Sequence, residues 1–319
     1  MQIAGRAILA NGKLVKVAAV RDEELVEGDV IPDPDAFISE LKRSCLKADV
    51  FTFPQRIDEP TPKYPYFFEW DNVAVAFTND FRTWWESLPQ EARKNARRAA
   101  KRGLVVRVVP FEDEFVRGIK EIYDETPVRQ GMRFWHFGKD FETVKMENGT
   151  YIDRSEFIGA YLDGELIGFI KLVYVDKSAR ILQILSKAAH YDKRPMNALI
   201  AKTVEVCSQK GISYLVYSKF TFGNKRTSPL REFKRRNGFR EVLFPRYYVP
   251  LTLKGSLAMK LNLHRDVIAI LPSGLIDVLL NIRSKFSRMT SGGLTHPTSP
   301  HLTSEIVSPA GVRHDPRGA

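Results

Sequence analysis

The stretch that most constrains this chain is Leu230 to Pro250, LREFKRRNGFREVLFPRYYVP. A short basic segment with helical spacing ends at Asn237-Gly238, and an aromatic-rich, β-branched segment follows. Glycine suits the left-handed residue that closes a helix, because it lacks the Cβ that disfavours positive φ. Phe239 then returns the chain to a packed sheet. The fold must therefore accept a helix, a sharp glycine stop and a final strand near residue 250.

Upstream, the chain alternates helix and strand signals. Leu14–Val20 alternates as a strand does, and Asp33-Pro34-Asp35 offers a helix start with periodicity over Ala36–Leu46. Asp49–Phe53 reads as a strand. Residues 54–65 hold four prolines and read as a loop, and Tyr66–Phe77 has strand composition. Thr83 is expected to open one long helix to about Arg102, stopped by Gly103, before the β-branched strand Leu104–Val109. Glu112–Glu125 is amphipathic, with Phe115, Ile119 and Ile122 on one stripe. Phe157–Tyr161 and Leu166–Val175 flank Asp163-Gly164, a hairpin turn. Arg180–Leu185 adds a strand, Met196–Lys210 a helix ended by Gly211, and Tyr214–Tyr217 another strand.

Composition bounds the function classes. The 319 residues are 44% hydrophobic, enough for one large or two ordinary cores, and the net charge is +11. Such an excess suits anionic partners: nucleic acid, anionic lipid or a phosphate-bearing cofactor. A soluble protein with a basic surface is the bland alternative. Cys45 and Cys207 stand far apart, giving neither a disulfide framework nor a zinc pattern, and both are expected to be buried core thiols. The N-terminus lacks the features of a signal peptide, and no apolar run reaches about 18 residues, so the expected location is the cytoplasm. No Walker loop, G-x-S-x-G elbow or metal-ligand spacing is present, which argues against phosphotransferase, serine-hydrolase and metal chemistry.

From Phe157 to Leu251 the order hairpin, strand, helix, strand, helix, strand resembles the GNAT acyltransferase core, and FIGAYLDGELIGFIKL resembles its paired central strands. Trp84-Trp85, the basic KNARRAAKRG and the Val-rich strand resemble the junction in FemAB-like proteins. Those carry two GNAT-like domains in tandem and transfer amino acids from aminoacyl-tRNA to peptidoglycan precursors. The resemblance implies an α/β fold of tandem GNAT-like domains, with mixed, largely antiparallel central sheets flanked by helices. Its expected divisions are an N-terminal half over 1–150 that includes the basic helix 83–102, a C-terminal half over 151–252, a helical extension over 253–286 and a disordered tail over 287–319. The implied activity is acyl or aminoacyl transfer onto an amine of a cell-envelope or amino-sugar acceptor. The donor would be an acyl-CoA or an aminoacyl-tRNA, used as an anionic co-substrate, with no tightly bound cofactor.

Two departures bear on chemistry. Acyl-CoA-binding GNAT proteins carry Arg/Gln-x-x-Gly-x-Gly/Ala after a central strand, where backbone N–H groups cradle the pyrophosphate. The matching place here, Ala188 to Asn197, contains no glycine, and Pro195 has no N–H to offer. Many GNAT enzymes also place a Tyr general acid where this chain has Lys234. Phe233-Lys234 instead resembles a Phe-Lys pair in the terminal helix of FemAB-like proteins, where the Lys is thought catalytic. An ammonium there would stabilise an oxyanion or, if desolvated, shuttle a proton.

The candidate residues follow. Lys234 is the first, against a solvated lysine among Arg231, Arg235 and Arg236. His190, Asp192, Arg194 and Asn197 cluster where a GNAT ligand sits; His190 would be the general base, while Asp192 is equally a helix cap before Pro195. Arg129, Gln130, Arg133, Trp135, His136 and Lys139 form an aromatic and polar loop, read either as substrate-binding or as packed on the domain junction. Arg93, Lys94, Arg97, Arg98, Lys101 and Arg102 recur on one helical face, either solvated or phosphate-binding. Residues 255–288 fit peripheral contact with the inner face of a membrane, or packing on the second domain. The alternative from another class is a non-catalytic binder of RNA or an anionic polymer on a degenerate GNAT scaffold.

Overall fold

The computed structural model describes residues 1–21, 23, 31, 33–129, 131–222 and 228–264. The expected disordered tail and the whole of the 265–288 stretch lie outside them, as does Gln130.

The upstream elements are β1 (Gln2–Ile3), β2 (Arg6–Asn11), β3 (Val17–Val20), α1 (Pro34–Arg43), β4 (Val50–Pro54) and β5 (Phe67–Phe77). Next come α2 (Phe81–Ser87), α3 (Gln90–Lys101), β6 (Val105–Val109), α4 (Asp113–Asp124), β7 (Val128–Arg129), β8 (Met132–Arg133) and α5 (Phe141–Asn148). The chain then forms β9 (Ser155–Leu162), β10 (Glu165–Val175), β11 (Ser178–Ser186), α6 (Pro195–Gln209), β12 (Tyr214–Val216), α7 (Pro229–Arg236), β13 (Arg240–Pro250) and α8 (Leu253–Lys260).

One 11-stranded sheet unites them in the order β1-β2-β3-β4-β13-β5-β12-β11-β10-β9-β6. Its pairings are antiparallel except β3 with β4 and β11 with β12. β5 comes from upstream in sequence yet lies between β12 and β13, so the final strand is locked between β4 and β5. Alternation decides which side chains meet which layer. Ile158, Ile170 and Leu215 face α6 and α3, whereas Phe157, Phe169 and Leu185 face α4 and α5. A separate cluster packs α1 on β2–β4 and β13 through Phe37, Leu41, Phe51, Phe53 and Tyr247.

Local signals explain the element ends. The Asp33 carboxylate accepts from Ala36 N–H at 2.9 Å and caps α1, with Pro34 as its first residue. Asp163 and Gly164 both take positive φ, the turn that matches the twist of the β9–β10 hairpin.

Three expectations are corrected. The helix expected from Thr83 to Arg102 is two helices, because Pro89 lacks an N–H and disfavours helical backbone at Leu88. Asp80, not Thr83, caps the first. Cys45 is exposed, since α1 stops at Arg43 and Ser44 turns the chain outward; Cys207 is buried as expected. Helix α5 was not anticipated, although Asp140 caps it through Thr143 N–H at 2.8 Å.

Candidate functional site

Helix α7 is built to bury one lysine. Ser228 accepts from Arg231 N–H at 3.1 Å to start it, Pro229 occupies its first position, and Gly238 ends it at φ +79°. On its solvent side, Arg235 and Arg236 donate to Glu232 and pull that carboxyl down to about 2. On its inner side Lys234 is 0% exposed. Its Nζ donates to the Lys219 carbonyl at 2.5 Å and lies 4.5 Å from the Tyr217 ring centre and 5.3 Å from that of Phe222. No carboxylate pairs with it among the described residues. Burial therefore disfavours the charged form and lowers its pKa to about 7. The Tyr217 hydroxyl, also buried, has no hydrogen-bond partner among the described residues.

The second feature is the turn after β11. β12 pairs with β11 only from Ser178 to Arg180, so β11 runs on to Ser186 hydrogen-bonded to β10 alone and the two parallel strands part. A 3-10 turn over Ala188–Lys193 follows. His190 Nε2 stands 4.0 Å from Glu165. Arg194 is exposed and takes φ +61° as it enters α6. Asp192 does not cap α6; its carboxylate pairs with Lys193 at 3.2 Å and its carbonyl accepts from Arg102 at the end of α3. Asn197 donates to Asn237 at 2.9 Å, and Asn237 in turn donates to the Phe233 carbonyl at 2.8 Å. Those two amides tie the first turn of α6 to the last turn of α7, linking the His190 turn to the Lys234 helix.

The 128–141 loop is more committed to internal partners than its composition implies. Arg129 is buried over the Phe134 ring at 4.4 Å and donates to Ser186 and Ile122 carbonyls at 3.0 and 2.9 Å. His136 stacks on Tyr123 at 4.3 Å and lies 3.4 Å from Lys139 Nζ. Arg133 and Trp135 are exposed.

A cavity of about 60 Å³ lies on the Tyr214 side of the sheet, opposite the Tyr217 side that faces Lys234. Asp71 and Arg246 line it, joined at 2.9 Å, with Lys219 Nζ 3.3 Å from Asp71 and Glu23 also bonded to Arg246. Burial alone would raise the Asp71 carboxyl, but Arg246 and Lys219 outweigh it and hold it below its ordinary value. Lys219 stands among the weaker candidates of the sequence, but Asp71 and Arg246 were missed there because their strands read as aromatic core. The usable signal was Asp71 and Arg246 interrupting those apolar runs. Among the described residues no group of side chains could hold a metal ion, and no helix is long and apolar enough to cross a membrane.

No protein-family model matches the chain, and no curated protein matches it by sequence. Solved structures match by shape. FemX aligns over 80% of this chain and 86% of its own, at TM-score 0.56 and 11% identity. L-PGS from Bacillus licheniformis aligns over 82% of this chain and 87% of its own, at TM-score 0.49 and 15% identity. A tandem GNAT protein from the clavulanic acid pathway aligns over 74% and 75%, at 0.44 and 10%. The FemX superposition, with the one large and mostly antiparallel sheet flanked by helices, shows that this chain has the α/β fold of FemX.

Proposed function

We propose that the chain is an aminoacyl- or acyltransferase that moves an activated acyl group onto an amine of a cell-envelope type acceptor, with Lys234 at the reacting centre. The observation that carries this reading is a lysine with no carboxylate partner among the described residues, buried on α7, the helix that leads through Gly238 into β13. A buried ammonium without a counter-charge is costly to hold for stability alone, and such groups cluster at functional sites. The likeness to FemX supports the fold on which the reading rests.

In the proposed reaction the acceptor nitrogen attacks the acyl carbonyl carbon. The C–N bond forms, the ester C–O bond to the donor breaks, and the amine proton passes to His190 and from it to the leaving donor oxygen, which departs as a hydroxyl. Lys234 as ammonium donates to the carbonyl oxygen while it carries negative charge. One of its three N–H bonds is engaged with Lys219, which aims the remainder. Phe222, partly exposed, is the cover that must yield for substrate to reach it. A phosphate-rich donor would lie along the exposed cations of α3, Lys94, Arg98 and Lys101, and on Arg194, which Arg102 holds close through Asp192. The acceptor would enter past Arg133 and Trp135. The test is a donor screen with pooled aminoacyl-tRNA and with acyl thioesters against amine-bearing envelope precursors, read by mass spectrometry. Amide product from at least one donor supports the proposal; none from any pairing, with the chain folded, refutes it.

A further inference from the structure

Glu125, directly after α4, reaches across to the turn that follows β11. Its two carboxylate oxygens accept separately from the Ala188 N–H at 2.7 Å and the Ala189 N–H at 2.8 Å. Arg129 Nη2 donates to the same carboxylate at 3.2 Å, and Arg129 is itself anchored on the Ser186 carbonyl. Successive backbone N–H groups with a guanidinium beside them form the recognition set for a phosphate. Here the set already holds an anion, and that anion is part of the chain. Arg129 Nε, buried, has no partner among the described residues, so the guanidinium retains donor capacity that one carboxylate does not use.

We infer that Glu125 is a donor-specificity residue: it fills the anion cradle at the β11–α6 turn and so excludes donors that must seat a diphosphate there, coenzyme A thioesters among them. This rests on the transferase reading and narrows its donor to an acyl ester whose phosphates lie elsewhere. Entry of a diphosphate would require expelling the carboxylate, leaving it unpaired beside a second anion. Removing its charge lifts that barrier while Arg129 and the two N–H groups stay in place.

The experiment is calorimetric titration of the full chain, as wild type, Glu125→Gln and Glu125→Ala, with coenzyme A and with inorganic pyrophosphate. The expected result is no measurable heat for wild type at millimolar ligand, and pyrophosphate affinity at least tenfold tighter in both variants. Coenzyme A binding by wild type that Glu125→Gln leaves unchanged would overturn the inference. So would variants that stay folded and gain nothing, which would assign the exclusion to the missing glycines. Hydrogen exchange at Ala188 and Ala189 in wild type gives a reading that survives a variant failing to fold. Protected amides are expected, and unprotected ones in the folded chain would refute the seated carboxylate. Transfer from an aminoacyl ester by a chain that also binds coenzyme A would sink this inference alone, and absence of all transfer would sink the function.

Discussion

Lys234 makes a quantitative prediction about stability against pH. In the fold it titrates at about 7, against an ordinary 10.5. That gap, at about 1.4 kcal/mol per pH unit, makes the charged form costly by about 5 kcal/mol. The sign follows from proton counting. Between pH 7 and 10.5 the unfolded chain holds a proton on this lysine that the folded chain has released. Stability therefore rises with pH across that window, by up to about 1.4 kcal/mol per unit from this one group. Below pH 7 both states are charged, and the penalty is constant. Lys234→Met removes it, at the expense of about 1–3 kcal/mol for the unpaired Lys219 carbonyl. Urea unfolding at pH 6.5 should therefore find the Met variant more stable by about 3 kcal/mol. By pH 9.5 wild type should have recovered about 2.7 kcal/mol of the difference over the two units above 7.5. A difference that stays constant from pH 6.5 to 9.5 would refute the reasoning, because Lys234 would then titrate as an ordinary surface lysine.

Other residues supply independent checks. Lys171 is buried, donates to Asn148 O at 2.7 Å and to Thr150 O at 2.6 Å, and is lowered by burial to about 8. Lys171→Met should show the same convergence with wild type, beginning one pH unit higher, in the same urea series. Gly238→Ala sets a Cβ 2.5 Å from Trp84 Nε1 at a positive φ and should destabilise by about 3 kcal/mol, seen as a shifted urea midpoint. Asp71→Asn weakens one of the carboxylate bonds to Arg246 while Glu23 remains on it, and should destabilise by about 2 kcal/mol at pH 7. Because the native Asp71 carboxyl is held below its ordinary value, its contribution is present above pH 4 and fades as pH falls, so the two stability curves should converge in acid.

Much of the fold was legible because its punctuation is chemical. Asp33-Pro34 starts α1, Asp163-Gly164 turns β9 into β10, and Gly238 stops α7 at the left-handed angle its lack of a Cβ permits. The failures were local and physical. Pro89 was read through, which fused two helices. Cys45 was placed in a helix that had already ended. The pairing of β5 between β12 and β13 joins residues more than a hundred apart, and no local pattern encodes it. At the site, the Phe-Lys pair stood out by resemblance, but its burial did not, because Arg235 and Arg236 make the helix look solvated. Arg129 looked like a ligand donor because its partners are backbone carbonyls, which a sequence does not display. Glu125 escaped notice for the same reason: its partners are two amide N–H groups 63 and 64 residues away.

The central claim is that Lys234 serves acyl transfer, and single-turnover transfer tests it most directly. Wild type and Lys234→Met, both verified as folded, would be mixed with labelled aminoacyl-tRNA and an amine-bearing envelope precursor, and the amide product counted. The account predicts product from wild type and a loss of at least a hundredfold in the variant. Equal rates in both proteins would contradict it and leave the buried lysine as a packing feature of the fold.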